Sequence, residues 1–503
     1  MKIKNLFRNS FFSLLSQVVL LLVGFLSQRA MNLYMGSELV GMNGVISNVI
    51  AMLSVTELGV STAIVYHLYS ALAKNDEEEI ASLMNLYRKA YYLFAVIITV
   101  LGLPLTPIVH LFMKNESYSL SYIRVLYLLW LMRSVISYPL SYKKSLLIAD
   151  QREYVVSVIT MLTNIFSYSA IIIFVTLTKR YLPALVVGIV VETVLNLWVS
   201  WYVDRKYPFL KRLRKKKPSE AVVSKIFKDL KNVFVSKMSQ NLLNCTDNLI
   251  ISGFISVATV GLFNNYCLIT RSINNIMGAL ANSIQPSVGN LFVEGDREKD
   301  YRMLRQLTFL FFLIVAVASC GLYTLINPFV TDIWLDESFQ LDHIAVIMAV
   351  LACILQGFGL PMTIVMGVSG LFHKERNLSI IIAIVNLVVS VALVIPFGVS
   401  GVLAGTCLSY LIQIVYRVIV FFREYLQKDV RRYLMDLAEY IFLIAGETCL
   451  VRFVSGIVYR RNIGTFLLCG VLCVGIPLAV NVLLYQKSAR LKSIAQLLRR
   501  SAA

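Results

Sequence analysis

The middle of this 503-residue chain repeats its beginning at a shift of about 220 residues, and both copies are apolar enough to lie in a membrane. Val40-Gly41 opens an apolar stretch that closes in Lys74-Asn75-Asp76-Glu77-Glu78. Val260-Gly261 opens another that closes in Glu294-Gly295-Asp296-Arg297-Glu298. Asp76 and Asp296 are 220 apart, as are Glu78 and Glu298, and Pro139 and Pro361 follow at 222 inside apolar segments. The offset drifts by single residues, as loop insertions make it. Tandem membrane halves of this kind point to a helical bundle whose two parts rock around a site at their interface.

Hydrophobic residues make up 58% of the chain and charged residues 15%. A soluble protein carries closer to a quarter charged. Stretches long enough to cross about 30 Å of hydrocarbon fall at 11–34, 39–69, 90–112, 120–142, 154–177, 183–203, 232–254, 258–287, 306–327, 341–366, 378–396, 400–421, 438–458 and 464–485. The expected fold is therefore an all-α integral membrane protein of about 14 transmembrane helices. They form two six-helix lobes related as a parallel repeat, plus an extra pair. Lys2, Lys4 and Arg8 precede the first apolar run, which reaches Tyr34. That is too long for a signal-peptide core, so the run reads as a retained first helix.

Of the 47 Lys and Arg residues, 35 fall in alternate loops together with the two ends, five in the opposite loops and seven within spans. This bias places both termini in the cytoplasm. It also accounts for the net charge of +19 without nucleic acid, because the charge is spread over every inner loop. The expected division is an N-terminal lobe at 1–203, a basic cytoplasmic linker at 204–231 and a C-terminal lobe at 232–421. The helix pair at 438–485 and a cytoplasmic amphipathic tail at 486–503 complete it. The linker run Lys211-Arg212-Leu213-Arg214-Lys215-Lys216-Lys217 orients the chain and attracts anionic membrane lipids.

The eight cysteines lie in apolar segments and the four histidines are scattered, so no metal site and no cofactor is expected. The sequence carries no Walker loop, paired nucleotide-binding glycines or nucleophile elbow. The short outer loops leave no place for an extracytoplasmic catalytic domain, which disfavours a membrane glycan polymerase. Uphill transport would draw on an H+ or Na+ gradient, or on consumption of the product outside.

An ionised side chain in mid-membrane costs roughly 2.5–3.5 kcal/mol and is usually turned toward water. Arg271 and Arg133 lie near the centres of their spans, and Arg29 toward the outer end of the first. Each reads either as a site for an anionic substrate or as one half of a structural ion pair. For Arg29 and Arg124, reach to the interface is a further alternative. The acids Glu57, Glu192 and Asp247 read either as ion-coupling carboxylates or as partners for those arginines. Glu447 and Arg452, five apart, share no helix face and need partners elsewhere. Asn264, Arg271, Asn275 and Asn282 recur at steps of 7, 4 and 7, which is one stripe of a helix. The stripe suits phosphate and sugar hydroxyls, or hydrogen bonding between helices.

Val40-Gly41, the run Glu57-Leu58-Gly59-Val60-Ser61-Thr62-Ala63, Asp247, Val260-Gly261-Leu262-Phe263-Asn264 and Gly401-Val402-Leu403-Ala404-Gly405-Thr406 carry a family resemblance. Together they resemble the polysaccharide-transport branch of the multidrug, oligosaccharidyl-lipid and polysaccharide exporter superfamily. The resemblance implies a non-enzymatic flippase in a bacterial cytoplasmic membrane. It would carry a polyprenyl-pyrophosphate-linked oligosaccharide from the inner to the outer leaflet by alternating access, for surface polysaccharide assembly. Glycosyltransferases and a glycan polymerase would be its partners. It further implies a cationic cavity that Arg29, Arg133 and Arg271 would line, with Asn264 and Asn275 beside them. A cation-coupled multidrug exporter of the same fold is the alternative, disfavoured by the central arginines. Lipid II flippases cluster arginines on their first two helices, where this chain has only Arg29, so lipid II is the less favoured cargo.

Overall fold

A computed structural model describes residues 2–54, 60–114, 117–220, 223–224, 226, 234, 238, 241, 245–292, 296–486 and 488. Among the described residues the chain is helical throughout, with short loops and no strand. The principal helices are α1 (Lys2–Leu53), α2 (Val60–Ala73), α3 (Glu77–Gly102), α4 (Leu120–Ser141), α5 (Lys144–Ala149), α6 (Glu153–Thr178) and α7 (Leu182–Lys206). They continue as α8 (Val257–Phe292), α9 (Arg297–Pro328), α10 (His343–Val368), α11 (Glu375–Val420), α12 (Arg431–Val458) and α13 (Ile463–Tyr485). Ten helices among the described residues are long and apolar enough to cross a membrane. Their outward faces carry exposed apolar side chains such as Leu177, Ile395 and Phe442. Water would not tolerate such a surface, whereas lipid does. The chain is a multi-pass membrane protein.

Two of those ten helices are folded rather than straight. In α11, Gly398 takes a positive φ of 57°, and the chain beyond it returns along its own path. Ser390 donates to the Val402 carbonyl at 3.1 Å and Asn386 to Thr406 at 3.1 Å, contacts a continuous helix could not make. Gly401 and Gly405 form the seam: a Cβ on Gly401 would stand 2.1 Å from the Leu393 carbonyl oxygen. Small residues four apart let two membrane helices approach this closely. The other break is at Gly36 of α1, where φ is 80°. Asn9 lies against Gln151 and Tyr154 at the start of α6, Glu38 against Ser117 just before α4, and Asn43 against Trp130 well inside α4. The second part of α1 thus runs alongside α4 in the same direction, while its first part comes from the opposite end.

The repeat positions hold matching structural roles. Asp76 caps α3, its side chain accepting from the Glu79 amide, and Asp296 caps α9, accepting from Glu298 and Lys299. Both precede acidic first turns that suit a helix N-terminus. Pro139 and Pro361 both lie inside helices, α4 and α10. The third span begins earlier than expected. The sequence suggests 90–112, but α3 starts at Glu77 and ends at Gly102, followed by short turns at Leu103–Leu105 and Val109–Phe112. Pro104 and Pro107 lack the amide donors a helix needs there, while the acids at 77–79 are an N-terminal turn rather than a loop.

The chain divides into two compact units, Met1–Gly261 and Leu262–Ala503. Within the first, Gly41 and Gly261 face each other's helices. A Cβ on Gly41 would lie 1.9 Å from the Val257 oxygen, and one on Gly261 would lie 1.8 Å from the Ser37 oxygen. Each repeat glycine therefore meets the residue four before the other. Also in this unit, Asn48 donates to the Cys245 carbonyl at 3.2 Å and Asn241 to that of Ala51 at 2.9 Å.

Candidate functional site

α8 carries the polar stripe expected from spacing. Met277, Ala281, Val288 and Phe292 are buried at helical intervals, which fixes the opposite side outward. Arg271, Asn275, Asn282 and Asn290 are exposed and Asn264 is half-buried. At about 100° per residue these five fall within roughly 100° of arc. The adjoining arc holds exposed Ile276, Leu280 and Leu291. One exposed edge is thus polar and the next apolar, the pattern of a helix between water and lipid. Arg271 makes no hydrogen bond or ion pair among the described residues. Asn274, next to Asn275, points elsewhere and accepts from the Cys353 thiol.

The other sequence candidates lie in different surroundings. Arg133 donates through Nε to Glu192 at 2.7 Å and its guanidinium stands 5.2 Å from the Trp130 ring. Trp130 in turn donates to Asn43 at 3.0 Å. Arg133 and Glu192 are therefore partners, one of the two readings open to both. Arg29 is exposed, with no ion pair among the described residues, and continues an exposed apolar row of Val18, Leu22, Leu26 and Leu33. Seven residues before the Gly36 break, it is placed to reach an interface. Asp247 is half-buried in a helical segment at 245–254. Glu57 lies outside the described residues.

Two further ion pairs tie the second unit together. Arg305 holds Asp436 with two bonds, at 2.7 and 3.1 Å. Arg417 donates to Glu375 at 3.0 Å and to Thr363 at 2.7 Å. Glu447, left without a partner by sequence, is 3% exposed on α12 and accepts from Asn481 of α13 at 2.7 Å. Its second oxygen has no hydrogen-bond partner. Asn481→Leu is expected to cost about 1–3 kcal/mol, because it strands a buried carboxyl group. A melting temperature unchanged from wild type would refute this. Among the described residues no cluster of metal-ligating side chains occurs. None of the eight cysteines forms a disulfide among the described residues; Cys449 is exposed and Cys267 half-buried.

Residues 6–291 match the family model described as polysaccharide biosynthesis protein. The chain is similar in structure to an inward-facing multidrug resistance MATE family transporter of the MOP superfamily, at 15% identity and a TM-score of 0.69. That match covers 80% of this chain and 94% of the other. It is also similar to the lipid II flippase MurJ in an inward closed conformation, at 15% identity and a TM-score of 0.68, covering 95% and 99%. A third likeness is to a MOP superfamily transporter from Pyrococcus furiosus described as having a binding pocket of reverse polarity. Its identity is 16% and its TM-score 0.59, and the match covers 85% of this chain and 97% of the other. No curated protein matches the chain.

The chain shares the helical fold of these membrane transporters. It belongs to the polysaccharide biosynthesis family, whose model matches more than half of its length.

Proposed function

We propose that the protein is a flippase for a polyprenyl-pyrophosphate-linked oligosaccharide repeat unit, moving it from the inner to the outer leaflet of a bacterial cytoplasmic membrane. Alternating access between two six-helix lobes, at 1–203 and 232–421, would accomplish the transfer with both termini in the cytoplasm. No bond in the cargo is made or broken. Glycosyltransferases would supply the substrate and a polymerase would consume it. The observation that carries this reading is Arg271, an exposed guanidinium without a protein partner among the described residues, in a row of amides on α8. A guanidinium fork matches phosphate oxygens, and amides match sugar hydroxyls. Arg29 and Arg133 would add positive potential, Arg133 after exchange of its bond to Glu192. Asp247, Glu57 and Glu192 are the acids through which H+ or Na+ would couple.

A drug exporter for cations would need acids free to meet its cargo. The exposed Arg271, with no ion pair among the described residues, supports the flippase reading over that one. The test is surface glycan in cells carrying only the variant chain. Arg271→Ala should lower export by roughly tenfold or more, since charged hydrogen bonds contribute about 1.5–3 kcal/mol. Arg271→Lys should keep part of it. Normal surface glycan in the alanine variant, at equal protein level, would sink the assignment.

A further inference from the structure

In the first unit a cavity of about 390 Å³ lies where the end of α4, the end of α7, the N-terminal part of α3 and the basic run after α7 meet. Its lining is strongly unbalanced in charge: Arg88, Lys143, Lys211 and Arg214 face it, against a single carboxylate, Asp204. Lys143 is bound to Asp204 and to the Ser200 hydroxyl, while Lys211 stands 3.9 Å from Asp204. One acid thus serves two lysines, and the two arginines have none. Arg88 reaches only the backbone carbonyl of residue 214, at 3.4 Å. Arg214 makes no hydrogen bond or ion pair from its own side chain among the described residues. Acids nearby do not make up the deficit, because Glu77 is taken by Arg212 and Glu78 by Lys216.

The local fold holds this arrangement in place. Asn85, buried on α3, donates to the carbonyls of Leu213 and Lys216 at 2.8 and 3.0 Å, and so pins the basic run over the cavity. Tyr142 adds a hydroxyl to the lining. Tyr92, at the rim, is 53% exposed on a face of α3 that continues through Leu93, Val96 and Val100, all more than half exposed. The cavity mouth therefore borders a surface made for acyl chains.

We propose that this cavity is a binding site for the phosphate or pyrophosphate headgroup of a membrane lipid. Convergent cations hold the anion in charge-assisted bonds, the tyrosine adds a neutral donor, and the chains leave along α3. The ligand is amphiphilic because the lining includes Tyr92, whose exposed face of α3 continues into apolar side chains, opposite the basic run. The site lies apart in sequence from the α8 row, so it would either load the cargo proposed above or hold an anionic bilayer lipid. Only the first of these rests on the proposed function.

Footprinting of the full-length wild-type protein in phosphatidylcholine nanodiscs tests it. Lys211 is 70% exposed at its side chain and therefore open to acetylating reagents. Polyprenyl pyrophosphate or phosphatidylglycerol in the disc should slow its acetylation several-fold, while Lys179, in a different loop, stays unchanged. Protection by polyprenyl pyrophosphate alone identifies a loading site. Protection by both lipids identifies a general anionic-lipid site. Arg88→Gln with Arg214→Gln should abolish either. Protection by inorganic pyrophosphate but by neither lipid overturns the lipid assignment, and protection by none overturns the site. Loss of this footprint with Arg271-dependent export intact would leave the transport reading standing.

Discussion

Alanine at Gly41 or Gly261 is expected to destabilise the folded protein by about 1–3 kcal/mol or more, and leucine at either position to prevent its accumulation. The new methyl group would have to share space with a backbone oxygen less than 2 Å away. No rotamer change relieves such a clash, since the obstacle is main chain. The two helices must separate, which opens the neighbouring contacts of Asn48 and Asn241. The control lies in other glycines of the same chain. Gly24, Gly278 and Gly446 have nothing within 4 Å of an added Cβ. Alanine there should leave stability unchanged or raise it by up to about 1 kcal/mol, because glycine is the weaker helix former. Melting in detergent, followed by size-exclusion fluorescence, separates the groups. Equal melting temperatures for Gly261→Ala and Gly278→Ala would refute the close crossing.

The second large effect concerns Arg305 and Asp436. Their side chains are only 18% and 11% exposed. Arg305→Met should cost about 3–5 kcal/mol, because it leaves Asp436 with a buried charge that has lost its cation. Arg305→Met combined with Asp436→Leu should recover most of that loss, as apolar replacement of a buried pair often does. Double-mutant melting reads the coupling directly. If the double variant melts as low as the single one, packing rather than charge governs the site.

Much of this fold is legible in the sequence because hydrocarbon imposes a simple rule on composition. The repeat marks Asp76 and Asp296 turn out to cap helices, and Pro139 and Pro361 sit inside helices. The stripe of Asn264, Arg271, Asn275 and Asn282 follows from spacing alone, since exposure on one helix obeys its period. The pairing of charges is another matter. Arg133 and Glu192 are 59 residues apart, and Glu447 and Asn481 are 34 apart. Nothing local dictates either encounter, which depends on how helices pack. The start of α3 was hidden for a different reason. Acids in a first turn look like a loop to a hydropathy window, although they favour a helix N-terminus. The basic cavity was equally hidden, because Arg88 and Arg214 meet only through the fold of the run after α7.

The reversal at Gly398 bears on how the protein is made. The tip between its two arms is only Pro396-Phe397-Gly398-Val399-Ser400, with no charged residue to hold a loop in water. The two arms are therefore expected to enter the bilayer together, as a hairpin that closes along Gly401 and Gly405. A topology reporter spliced in at that tip should therefore wreck biogenesis rather than report sidedness.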